Sequence, residues 1–133
     1  MGRILLVEDD PVQLYILRGW LQQAGHTVEG AEDGGAALAL ARRSAPPLMV
    51  TDWLMPGLDG LGLIRAFRRD SGLRDTYVIL LTARDEGGDH EAALAGGADD
   101  ILTKPCMEKE FLARIEAGLR LGTRQGTLSP CGR

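Results

Sequence analysis

Short runs of consecutive apolar residues alternate along this chain with longer stretches in which apolar residues recur every three or four positions. Ile4-Leu5-Leu6-Val7 is the first run, and its continuity suits a strand buried on both faces of a parallel sheet. A helix is predicted next, with Asp10 as N-cap and Pro11 in the first turn. Its stripe of Ile16, Leu17, Trp20 and Leu21 stops near Gly25. Thr27–Ala31 reads as a second, weaker strand. Asp33 then caps a helix carrying Ala36, Leu38, Leu40 and Ala41 to about Ser44. Leu48-Met49-Val50-Thr51 predicts the third strand, ending on Asp52. A loop with Pro56, Gly57 and Gly60 leads to a helix bearing Leu61, Leu63, Ile64 and Phe67. Tyr77–Leu81 predicts the fourth strand, rich in residues that suit a pleated surface. Asp85–Gly97 is the weakest helix: it holds four glycines, and Leu94 is its only large apolar residue. Ile101-Leu102 marks a short fifth strand. The last helix is expected from about Met107 to Leu121, with Phe111, Leu112, Ile115 and Leu119 at helical spacing.

Strands alternating with helices five times over predict an α/β fold, a parallel sheet covered by helices on both faces. Connections should be right-handed, and a site should lie at the carboxyl ends of the strands. Residues 1–121 carry this pattern and are read as one domain. From Gly122 to Arg133 it dies out, leaving one large apolar residue, Leu128, so 122–133 is expected to be a flexible tail or linker stub.

Composition narrows the class. A chain of 133 residues is long enough for one domain with a proper core. With a net charge of −4 and no clustered basic face evident, nucleic-acid binding by this domain is not expected. The basic doublets Arg42-Arg43 and Arg68-Arg69 fall at helix ends, where cations complement the dipole. No apolar run approaches the ~18 residues of a membrane span, and Ile4–Val7 runs into three acids, unlike a signal peptide. Cys106 and Cys131 match no metal spacing and imply no disulfide framework, so a reducing cytoplasm is expected. His26 and His90 have no ligand-spaced neighbours and read as solvated turn or helix residues.

Four strand ends carry polar groups: Glu8-Asp9-Asp10 after the first, Asp52 on the third, Thr82 after the fourth, and Lys104 beyond the fifth. In a parallel sheet these ends meet on one edge. Clustered carboxylates repel each other until something neutralises them. An all-oxygen cluster suits Mg²⁺, Lys104 supplies one mobile positive charge, and Thr82 a hydroxyl.

The run Ile4-Leu5-Leu6-Val7-Glu8-Asp9-Asp10-Pro11 resembles the opening of a bacterial response-regulator receiver domain of the chemotaxis-regulator kind. Asp52-Trp53-Leu54-Met55-Pro56-Gly57-Leu58-Asp59-Gly60 resembles that family's phosphoacceptor loop, and Leu80-Leu81-Thr82-Ala83-Arg84 its fourth-strand end. Gly97-Ala98-Asp99-Asp100-Ile101-Leu102-Thr103-Lys104-Pro105 resembles its fifth. The likeness covers about residues 3–121. It implies a doubly wound, flavodoxin-like sheet in the order 2-1-3-4-5 with five helices. It also implies Asp52 as phosphoacceptor, Asp9 and Asp52 as direct Mg²⁺ ligands, Glu8 as a ligand through water, and the Leu54 carbonyl as a further ligand. Thr82 would bond a phosphoryl oxygen, and Lys104 would pair with Asp52 before transfer and with the phosphoryl group after it. Asp10 is better explained as a helix cap. The family's Lys-Pro bond is cis. Two positions depart from its pattern: Ile101 stands where an aromatic rotamer switch is usual, and Cys106 where an aromatic commonly packs beneath the last helix.

The implied function is a phosphorylation switch in two-component signalling, with a histidine kinase or phosphotransfer protein as donor. It is not a turnover enzyme, for it catalyses only its own phosphorylation and dephosphorylation. A degenerate receiver that binds partners without phosphorylation is the main alternative, kept open by Ile101. A Mg²⁺-dependent phosphohydrolase would need an acid where Leu54 stands, and Glu8-Asp9-Asp10 would repel the phosphate of a flavin. Output stays open: a stand-alone regulator, or a receiver whose C-terminal effector domain lies beyond 122–133. Glu108, Lys109, Glu110, Arg114, Glu116 and Arg120 form a mixed-sign face that could pair two copies or merely be solvated.

Overall fold

Each apolar run becomes a strand and each periodic stretch a helix. The computed structural model describes residues 2–83 and 87–132, with 87–89 and 123–132 as backbone only. The order is β1 (Arg3–Val7), α1 (Pro11–Gln23), β2 (Thr27–Ala31), α2 (Gly34–Arg43), β3 (Leu48–Asp52), α3 (Gly60–Arg69), β4 (Tyr77–Thr82), α4 (Gly87–Ala95), β5 (Asp100–Thr103) and α5 (Glu108–Gly132). All pairings are parallel, in the order β2-β1-β3-β4-β5. Asp52 pairs with Leu81, and Val7 with Thr51, so β1, β3 and β4 finish nearly level.

Successive strand side chains point to opposite faces, and the core accordingly divides in two. On one face Leu5, Val7, Met49, Val78 and Leu80 pack with Ala37 and Ala41 of α2, Leu63, Ile64 and Phe67 of α3, and Ala93 of α4. On the other, Ile4, Leu6, Val50, Ile79 and Leu81 pack with Leu14, Leu17 and Leu21 of α1 and Phe111 and Ile115 of α5. Each such large apolar side chain stabilises the fold by about 1.5–3 kcal/mol.

Local chemistry sets the helix limits. Asp10, Asp33 and Asp59 accept N–H bonds from Val12, Ala36 and Gly62 at 3.0, 2.7 and 2.9 Å, as N-caps do. Arg42, Arg43, Arg68 and Arg69 occupy the last turns of α2 and α3. Among the described residues no helix is long and apolar enough to cross a membrane.

Three expectations need correcting. Helical backbone continues to Gly132, beyond the Leu121 expected as the end of the last helix. Once a helix is nucleated, each further residue gains a backbone bond without needing an apolar face, so packing periodicity cannot mark where it stops. Ile16 is 38% exposed, and Leu14 replaces it on the buried side of α1. His26 is buried instead of solvated: its Nδ1 accepts the Gly2 N–H at 3.0 Å, and its Nε2 lies 3.0 Å from Glu116 Oε2. The basic doublets fall at helix ends as expected, and because α2 and α3 pack side by side, Arg42 and Arg69 line one hollow. Of the weak fourth helix, Asp85 and Glu86 lie outside the described residues, as does Arg84.

Candidate functional site

Asp52 is the last residue of β3 and only 8% exposed. The chain turns sharply behind it: the Trp53 N–H donates to Leu81 O at 3.0 Å and meets Asp52 Oδ1 at 3.1 Å. Gly60, the first residue of α3, donates its N–H to Trp53 O at 2.8 Å. A Cβ at Gly60 would stand 2.4 Å from Asp52 O, so only glycine lets α3 begin directly against the acid. Glu8 follows β1 and is 1% exposed, with its N–H donating to Ala31 O at 3.0 Å. Asp9 is half-buried. Glu8, Asp9 and Asp52 each bring a carboxylate oxygen within 4.8 Å of the others.

Lys104 reaches in from the loop after β5. Its Nζ lies 3.1 Å from Asp52 Oδ1 and 3.3 Å from Glu8 Oε1. Its backbone N–H donates to Thr82 O at 2.7 Å, and the Lys104–Pro105 bond is cis. Thr82 is 1% exposed at the end of β4, whereas the Leu54 side chain is largely exposed. Burial, then the charge of Asp52, push the Glu8 carboxyl up to about 7 against the pull of Lys104. Burial works against the Lys104 ammonium, but Asp52 and Glu8 outweigh it and hold it above the ordinary lysine value.

Three carboxylates thus face one ammonium, and the excess is negative. A buried acid driven to give up its charge is a site short of cations. The donor set is oxygen throughout, which suits a hard divalent ion such as Mg²⁺, so these residues fit that group.

Both departures from the family pattern are visible. Ile101 packs against the α3-side core, and its carbonyl accepts an N–H of Arg114 at 3.3 Å. Beside Cys106 lies a hollow of about 530 Å³, lined among others by Ile16, Trp20 and Lys104. Trp20 partly closes it and meets Phe111 at a 5.8 Å ring separation. Burial and then Glu110 raise the Cys106 thiol, which holds it protonated. Sequence reasoning placed Gly60 in the loop but missed its role, which is purely steric and carries no chemical signal.

The response regulator receiver domain family matches residues 4–116. The chain belongs to that family. This receiver domain is 40% identical over 119 residues to protein PilH of Pseudomonas aeruginosa, covering 90% of this chain and 98% of PilH. It is also 40% identical over 118 residues to the phosphate regulon transcriptional regulatory protein PhoB of Escherichia coli, covering 89% of this chain but 52% of PhoB. It therefore spans nearly all of one relative and about half of the other. The signal receiver domain of a signal transduction histidine kinase from Syntrophus aciditrophicus superimposes with a TM-score of 0.84 at 35% identity, over 90% of this chain and 91% of that one. As a receiver domain of a two-component response regulator, the chain places its family motifs on the strand ends described above.

Proposed function

We propose that this receiver domain is a Mg²⁺-dependent phosphorylation switch with Asp52 as phosphoacceptor. The single observation that carries the reading is the convergence of Glu8, Asp9 and Lys104 on Asp52, a buried acid at a strand end. Asp9 and Asp52 would hold Mg²⁺ directly, Glu8 through water, and Leu54 through its carbonyl. The ion, when bound, neutralises charge that develops on the phosphoryl oxygens. The chain's own residues do the rest. Lys104, 3.1 Å from Asp52 Oδ1, orients the carboxylate, and a carboxylate oxygen attacks the phosphorus of a phosphohistidine. The P–N bond breaks as the P–O bond of the acyl phosphate forms, and the imidazole leaves with the electron pair. Lys104 then follows the new charge, and Thr82 donates a hydrogen bond to a phosphoryl oxygen. A histidine kinase or phosphotransfer protein is the donor, the cytoplasm the compartment, and the output a change of protein-binding surface. A C-terminal effector domain or a second copy is the expected partner for that surface. No acid stands two residues after Asp52 to drive turnover, so the domain is a switch rather than a phosphohydrolase.

Trp53 adjoins Asp52 and is 6% exposed, which makes it an internal reporter. Mg²⁺ and then acetyl phosphate are added to a Trp20→Phe variant while fluorescence and intact mass are followed. The expected result is a saturable Mg²⁺ response, then a second response and the mass gain of one phosphoryl group, both absent in Asp52→Asn. Mg²⁺ binding without phosphorylation would instead favour a receiver kept for binding alone.

A further inference from the structure

The chain carries a net charge of −4, yet one end of it is basic. Helix α2 ends in Arg42 and Arg43, and helix α3 in Arg68 and Arg69. The two helices pack together, and Arg42 Nε reaches Asp70 Oδ2 at 3.5 Å, which places their carboxyl ends side by side. Complementing the helix dipoles explains cations in the last turn. It does not explain Arg65, a full turn earlier on the same face as Arg69, or Arg74, which lies beyond the helix. Like charges at that i,i+4 spacing oppose helix formation.

What each guanidinium does separates structural arginines from spare ones. Arg68 is fully engaged, donating to the carbonyls of Gly97, Arg74 and Thr76 and to Asp99. Arg43, Arg65, Arg69 and Arg74 are exposed, and none forms an ion pair with another described residue. Arg42 and Arg69 line a hollow of about 360 Å³ with Ala66 and Asp70. Its small apolar floor and forked donors suit carboxylate side chains, which arginine grips through two parallel N–H bonds.

We propose that the joined carboxyl ends of α2 and α3 form a docking surface for an acidic peptide segment of a partner protein. Charge complementarity selects this occupant. Asp70 and Asp75 break the positive charge into separate guanidinium groups, which suits the spaced carboxylates of a peptide better than the continuous charge of duplex nucleic acid. The longest acidic run a second copy could offer is Glu8-Asp9-Asp10, and docking it here would cover Asp52. The surface stands at the amino ends of β3 and β4, opposite the edge that holds Asp52. Docking here leaves the phosphoacceptor free, so the proposal does not depend on the switch reading.

The test uses the full chain and fluorescein-labelled hexaglutamate, with anisotropy as readout. Saturable binding at low salt that weakens as salt rises is expected. Arg42→Gln/Arg69→Gln should weaken it at least about tenfold with an unchanged thermal melt. Arg120→Gln, an exposed arginine of α5, and Asp52→Asn should leave it unaltered. Absence of saturable binding, or equal weakening by Arg120→Gln, overturns the proposal. So does displacement of the peptide by a lower concentration of duplex DNA, or self-association in sedimentation that the double substitution abolishes.

Discussion

Glu8 is the residue on which burial and neighbouring charge act hardest. Its carboxyl moves from 4.5 up to about 7, so between those values the folded chain binds a proton that the unfolded chain has released. Stability supplied by that proton is complete below about pH 4.5 and is lost as pH rises through about 7, by at most roughly 3 kcal/mol. Thermal melts in EDTA should therefore show Tm falling across that window, and Glu8→Gln should flatten the fall. At Gly60 the constraint is steric: a methyl group would stand 2.4 Å from Asp52 O. Gly60→Ala should cost about 1–3 kcal/mol in urea unfolding and weaken Mg²⁺ binding with it, because α3 must retreat from the acid. Asp9, Asp52 and Lys104 were legible in sequence because charged groups at strand ends are conspicuous there. The steric role of Gly60 and the burial of His26 were not, since each depends on which atoms the folded chain brings alongside.

Among the elements, α4 is held most lightly. Of its described side chains only Ala93 is buried, and Leu94 is 52% exposed. Its carboxyl end, however, is tied down by Arg68, whose guanidinium reaches Gly97 O at 3.0 and 2.7 Å and Asp99 Oδ2 at 2.8 Å. Asp99 Oδ2 also accepts the Val78 N–H at 2.8 Å, which links α3, β4 and the turn after α4. Native-state hydrogen exchange should find the amides of Glu91–Ala95 opening at lower free energy than those of α1 or α3. Arg68→Met should lower global stability by about 1–3 kcal/mol, because partly buried carbonyls of Gly97 and Thr76 lose their donors. It should also speed exchange at Val78 and Ala98. Equal protection of α4 and α1 would contradict the first expectation, and an unchanged Val78 the second. The glycine-rich composition announced the weakness of α4, whereas the clamp joins residues about thirty apart and could not be read from spacing.

For the molecule as a whole, the sheet carries charge of opposite sign to its two ends, acids at the carboxyl edge and spare arginines at the other. A cation bound only by the folded state stabilises it by mass action, about 2.7 kcal/mol at a hundredfold excess over Kd. Mg²⁺ should thus raise Tm reversibly, with EDTA restoring the lower value, and Asp9→Asn or Asp52→Asn should abolish most of the gain. A Tm indifferent to Mg²⁺ in the parent protein would remove the metal from the proposed function. The mixed-sign face of α5 is partly spent within the chain: Arg114 reaches Asp100 at 2.8 Å and Glu116 reaches His26 at 3.0 Å. Fewer of its charges are therefore left to pair with a second copy.

Sequence alone determined the alternation of strands and helices, the Asp10 and Asp33 caps, and the strand ends on which Glu8, Asp9, Asp52, Thr82 and Lys104 lie. Those features follow from local periodicity and from residue types that declare themselves one at a time. Tertiary structure decided what is near what. It seated Lys104 between Asp52 and Glu8, buried His26 between Gly2 and Glu116, and brought Arg42 of α2 and Arg69 of α3 to one hollow. Each of these depends on chain crossing and helix packing between residues far apart in sequence, and a pattern read along the chain carries no measure of that distance.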